Sequence, residues 1–135
     1  MAVKHIFYIF LAMAVLISCN GNDSEKMDQG ALAANAAKLY YQDLIAGKTE
    51  RFLEGVNMPD RIPEGYRKQM LTNYKQFMER QKKEHRGIDS IAISNAQFSE
   101  KDSTASVFLI LHFADSTSEQ IAVPMLKRKG IWYMR

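Results

Sequence analysis

Apolar positions change their spacing along the chain, and the changes divide it into parts. Ile6 to Ile17, IFYIFLAMAVLI, is apolar without a break for 12 residues and stops at a polar tract. Residues 20–30, NGNDSEKMDQG, hold one apolar residue and two glycines. That is too little to bury, and it predicts a flexible tether. From Ala31 the apolar residues recur at spacings of three and four, and after Gly87 at every second position. Helices are therefore expected first and strands second.

Ala31 to Ala46, ALAANAAKLYYQDLIA, is rich in helix formers, and Leu32, Ala33, Ala36, Ala37, Tyr40 and Leu44 share one face. Gly47 is placed to end this helix in the left-handed conformation. Thr49 is placed to cap a short helix through Phe52 and Leu53 that stops near Gly55, and Pro59 and Pro63 punctuate the loop that follows. Glu64 to Lys83 reads as a third helix striped by Tyr66, Met70, Tyr74, Phe77 and Met78, with Gly87 ending it. Four strands follow, Ile88 to Phe98, Thr104 to Phe113, Gln120 to Lys127 and Ile131 to Met134. Short polar turns between them predict an antiparallel meander, so the class is α+β. Pro124 has no N–H to donate and marks an edge or a bulge.

Alternation assigns two sheet faces. Ile91, Ile93, Val107, Leu109, Leu111, Phe113, Ile121, Val123 and Met125 form an apolar face that should carry the helices. The opposite face collects Phe98, Phe108, Ile110, His112, Leu126 and Trp132 with Ala92, Ser94 and Ala122. A face so apolar is expected to meet a partner, a second copy of the chain or another protein of its compartment. An N-terminal helix laid across it would remove that need.

Composition narrows the chemistry. The chain has 135 residues, 47% of them hydrophobic and 24% charged, and a formal charge of +3. This suits one globular domain and points to no polyanionic partner. A single cysteine excludes an internal disulfide and any multi-cysteine zinc site. His5, His85 and His112 are too far apart for a local metal motif. Neither a metal nor a cofactor is expected.

The apolar run follows Lys4 and falls short of the roughly 20 residues of a spanning helix, as an export signal over residues 1–18 would. Leu16-Ile17-Ser18-Cys19 resembles the lipobox of bacterial lipoproteins at all four positions. The resemblance implies cleavage between Ser18 and Cys19 and a diacylglyceryl group on the Cys19 thiol, whose thiolate is the nucleophile. It implies a lipid-anchored envelope protein of a Gram-negative bacterium, at the outer membrane and facing the periplasm or the surface. Asp23 and Glu25 are similar to a surface-export signal, and a solvated linker is the simpler reading of the same residues.

Two stretches carry a second resemblance: Asp43-Leu44-Ile45-Ala46-Gly47-Lys48-Thr49-Glu50-Arg51-Phe52 and Val123-Pro124-Met125-Leu126-Lys127-Arg128-Lys129-Gly130-Ile131-Trp132-Tyr133. With the order of elements, they resemble the nuclear-transport-factor-2-like superfamily and, more narrowly, the domain-of-unknown-function 4878 lipoproteins. The resemblance implies about three N-terminal helices packed on a curved, cone-like four-stranded antiparallel sheet over residues 31–135. Lys48 stands where such families often have an acid, and Trp132 where a polar residue is common. No catalytic motif comes with the resemblance.

Isomerases and dehydratases of that superfamily hold an acid, a base and a tyrosine in the cone. The available groups are Tyr40, Tyr41, Asp43, Tyr66, Tyr74 and His112. Tyr40, Tyr66 and Tyr74 are the candidate pocket residues, although their helix faces equally suit core tyrosines. His112 falls outside the cone by parity. The expected function is a noncatalytic binding or interaction module. The alternatives are a binder of a small apolar ligand in the cone and an isomerase- or dehydratase-like enzyme. Arg61 to Arg86 contains eight Lys/Arg against three Glu, and Lys127-Arg128-Lys129 is a second basic cluster. These read as solvated surface able to attract anionic headgroups. The neighbouring aromatics sit on the apolar stripe, so no nucleic-acid partner is expected. Asp89-Ser90-Ile91, Asp102-Ser103-Thr104 and Asp115-Ser116-Thr117 resemble an O-glycosylation pattern of exported bacterial proteins, which would fall on Ser90, Ser103 and Ser116.

Overall fold

The first helix, α1 (Gln29–Ile45), begins ahead of the expected Ala31 because Asp28 caps it. The Asp28 carboxylate accepts from the backbone N–H of Gly30 at 3.0 Å and of Ala31 at 3.4 Å. The computed structural model describes residues 28–135. The expected export signal, with Ser18 and Cys19, and residues 20–27 lie outside the described residues.

Gly47 reverses the chain with φ +81°, the left-handed conformation that glycine adopts without steric cost. Helix α2 (Thr49–Glu54) is not capped by Thr49. Lys48 occupies the cap position without a side-chain bond, and Thr49 is a buried first helical residue. Helix α3 (Glu64–His85) runs past the expected Lys83 and closes on Arg86 at φ +65°, one residue before Gly87.

Strands β1 (Ile88–Ser99), β2 (Thr104–Phe113), β3 (Ser118–Arg128) and β4 (Ile131–Met134) form one antiparallel sheet in sequence order. The observed class is the expected one, three helices on a four-stranded antiparallel sheet. Helix α1 lies across the apolar sheet face through its small residues: Ala33, Ala34 and Ala37 are buried, and Gly30 sits against Ala96. The close approach buries Val107, Leu109, Leu111 and Met125 completely or nearly so. At roughly 1.5–3 kcal/mol for each large apolar side chain, this layer is the main source of stability.

Pro124 illustrates how the sheet is fitted to the sequence. It opposes Ser106 of β2, and its carbonyl accepts from Arg135 N–H at 2.9 Å, just past the end of β4. The missing N–H therefore faces the β4 side, at the point where that strand ends. The short β4 is extended at its free edge by the segment after α2. Gly55 C=O accepts from Met134 N–H, and Met134 C=O accepts from Asn57 N–H, both at 2.7 Å.

Two members of the expected outer face are on the helix side. A register shift between Ile93 and Asn95 inserts a bulge into β1, and every later residue of the strand changes face. Phe98 consequently opposes Ala105, which is buried under the helices. Trp132 opposes Lys127, in the same row as the buried pair Met125 and Met134, and is only 5% exposed. The two rings meet edge to face with centroids 6.0 Å apart. Ile93 opposes the buried Leu109 yet is itself exposed, since it lies on the outermost strand at the bulge. No helix among the described residues is long and apolar enough to cross a membrane.

Candidate functional site

The remaining outer face is a narrow apolar stripe. Tyr133 of β4 opposes Leu126 of β3, Pro124 and Ala122 follow on the same side of β3, and Ala122 opposes Phe108 of β2, followed by Ile110. Phe108, Ile110, Leu126 and Tyr133 are half-buried, while Ala122 and Pro124 are exposed. Helix α1 packs on the opposite face, so the described N-terminal helix does not cover the stripe. His112 closes its lower end, exposed and flanked by Ser90 and Ser118.

The expected pocket tyrosines do not converge. The Tyr40 hydroxyl donates to the Trp132 carbonyl at 2.7 Å, which ties α1 to β4. The Tyr40 ring also occupies the space beside Gly55: a Cβ there would lie 2.5 Å from it. Tyr74 meets Phe52 edge-on at 4.8 Å, and Tyr41 meets the same ring from another side at 5.1 Å. Burial raises the pKa of Tyr40, Tyr41 and Tyr74 above the ordinary value, so all three remain neutral phenols at physiological pH. Tyr66 is 53% exposed and lines no interior space. Aliphatic and aromatic side chains fill the layer between α1 and the sheet. Asp43 lies half-buried near the end of α1, and His112 stands on the far side of the sheet. Among the described residues no hydrogen bond joins any two of these six groups.

A different cluster escaped the sequence reading. His85, the last residue of α3, stacks on Phe113 with centroids 4.0 Å apart and planes 13° from parallel. Its Nδ1 is 3.0 Å from the Asp115 carboxylate. The other carboxylate oxygen accepts from the Thr117 hydroxyl and from Thr117 N–H at 3.0 Å. The three groups latch the helix end to the β2–β3 turn, reinforced by Asp115 N–H donating to the His85 carbonyl at 3.1 Å. The two bonds from Thr117, followed by the contact with His85, lower the Asp115 pKa from 3.8 to about 2. A carboxyl whose pKa is lowered on folding stabilises the fold above its unfolded pKa and loses that contribution as pH falls through the folded one. Asp115→Asn should therefore melt below the unmutated chain near pH 5. The difference should shrink between about pH 4 and pH 2, and thermal scans across that range check it. The signal available in the sequence was Asp115-Ser116-Thr117, an Asx-turn pattern. Its partner 30 residues earlier was not visible.

The three possible glycosylation serines are all exposed. Ser103 and Ser116 occupy turns with φ +53° and +73°, and Ser90 lies on β1 opposite His112. A shallow cleft of about 270 Å³ opens beside β4, where Leu53, Val56, Met58, Ile62 and Tyr133 alternate with Glu54, Asp60, Arg67 and Arg128. The Arg128 guanidinium lies 5.0 Å over the Tyr133 ring at its rim.

No family profile matches the sequence, and no curated protein sequence matches it. Among solved structures, the chain is similar to a Campylobacter jejuni protein provisionally described as an NTF2-like transpeptidase. The TM-score is 0.55 at 15% sequence identity, over 74% of this chain and 94% of that one. Identity this low carries the architecture and not the activity. The chain has the α+β fold of the NTF2-like domains.

Proposed function

We propose that the chain is a small lipoprotein of the bacterial envelope, held at the outer membrane through Cys19 and acting there as a noncatalytic binding or interaction module. The observation that carries this reading is the stripe from Tyr133 through Leu126, Pro124, Ala122 and Phe108 to Ile110, which no described helix covers. NTF2-like folds accommodate both ligand-binding and enzyme-like modules. The filled layer under α1 and the separation of the titratable candidates favour the first. The four lipobox positions support the anchor, and the two quoted stretches support kinship with the domain-of-unknown-function 4878 lipoproteins. Exposure of Ser90, Ser103 and Ser116 suits the glycosylation pattern they resemble.

The stripe serves either a second copy of the chain or an envelope protein. Leaving it wet forgoes roughly 25 cal/mol for each Å² of apolar surface that a partner would cover. Ile110→Lys should remove the association and keep the fold, because Leu109 and Leu111 still face the helices. In-cell cross-linking checks this: a specific adduct in the unmutated chain is expected to disappear in the variant.

A further inference from the structure

Two elements bring three cations to one cleft that the proposed function does not use. The turn into α2 and α2 itself contribute Lys48 and Arg51, and α3 contributes Lys75. The cleft is open, encloses about 500 Å³ and is completed by Gly47, Thr49 and Glu50. Its frame is rigid. Gly47 N–H and Lys48 N–H donate to the carbonyls of Leu44 and Asp43 at 3.1 and 2.8 Å, which fixes the turn. The Phe52 ring, edge-on to both Tyr41 and Tyr74, docks α2 on α1 and α3. Tyr74 precedes Lys75, which lines the cleft with Lys48 and Arg51.

The one carboxylate of the cleft, Glu50, lies 3.7 Å from the Arg67 guanidinium outside it. Three cations against this acid leave a formal surplus of two positive charges even before Arg67 is counted. An anion entering the cleft is attracted by this surplus. Arginine offers a planar fork to phosphate oxygens, lysine offers mobile point charges, and Thr49 adds a hydroxyl. Helix α2 has six residues, too few for its dipole to matter, so the side chains carry the attraction.

We propose that this cleft binds a phosphate monoester as its dianion. A carboxylate or a phosphodiester carries a single charge and leaves one cation unmatched. The volume lies within the range of small-ligand sites, and the open side lets the organic part of the ester extend into solvent. Such a group comes from a soluble phosphate ester or from a lipid headgroup.

Calorimetric titration of the full chain in detergent micelles tests the proposal. The probes are inorganic phosphate, glycerol 3-phosphate and phosphatidic acid added to the micelles, with acetate as the monoanion. Saturable binding of at least one phosphate probe is expected, weakened tenfold or more in the double variant Arg51→Glu/Lys75→Glu. Both residues are exposed, so the melting temperature should not move. Arg51→Gln/Lys75→Gln serves if the charge reversal fails to fold. Binding of the soluble probes identifies a soluble ester, and binding of phosphatidic acid alone identifies a headgroup. The proposal is overturned if no phosphate probe binds, if acetate binds as tightly, or if the double variant binds as the unmutated chain does.

Discussion

Trp132→Ala should destabilise the domain by about 3–5 kcal/mol, the range for removing a large buried aromatic. Trp132 is 5% exposed, stands in the row of Met125 and Met134, and meets Phe98 edge to face. Its removal leaves a cavity at the point where α1 is tied to β4, because the Trp132 carbonyl accepts the Tyr40 hydroxyl. The indole N–H is buried and has no partner among the described residues. An unpaired buried donor costs roughly 1–3 kcal/mol. Trp132→Phe keeps most of the ring and deletes that donor, so its loss should be less than half that of alanine. Urea titrations of the three chains check both statements. Equal stability of Trp132→Ala and the unmutated chain would return the ring to the outer face.

Cys19→Ala should abolish lipid attachment altogether, since only a thiol at this position can accept the diacylglyceryl group and the chain has no second cysteine. Metabolic labelling with a lipid analogue should tag the unmutated chain and not the variant. The variant should also leave the membrane fraction, because a lipoprotein carries two or three acyl chains at roughly 0.8 kcal/mol per buried methylene. Equal labelling of both would end the lipoprotein reading. Residues 1–27 lie outside the described part of the structure, so this prediction rests on the sequence motif.

The order and type of elements were legible because each is specified locally. Ala33, Ala37 and Leu44 repeat with the helical period, Val107, Leu109, Leu111 and Phe113 alternate, and Gly47 takes the left-handed conformation its position demands. Errors arose where a long-range fact decides. Nothing in ISNAQFS announces a bulge after Ile93, yet that one extra residue moved Phe98 to the helix side. The four residues of β4 offer too short a pattern to show which face Trp132 takes, and pairing with β3 decided it. Tyr66 has the spacing of its stripe but lies in the first turn of α3 and is 53% exposed. The latch of His85 with Asp115 and Thr117 joins residues 30 and 32 positions apart and leaves no local trace. The candidate face was thus legible in its centre, Phe108 and Ile110, and misread at Phe98 and Trp132.

Association through the outer sheet face is the central claim, and sedimentation equilibrium of the full chain in density-matched detergent is its most direct test. The chain should sediment as a dimer, or as a complex once its cross-linked envelope partner is added, and Ile110→Lys should sediment as a monomer with an unchanged melting temperature. A monomeric unmutated chain at high concentration, with no specific cross-linked partner in cells, would contradict it.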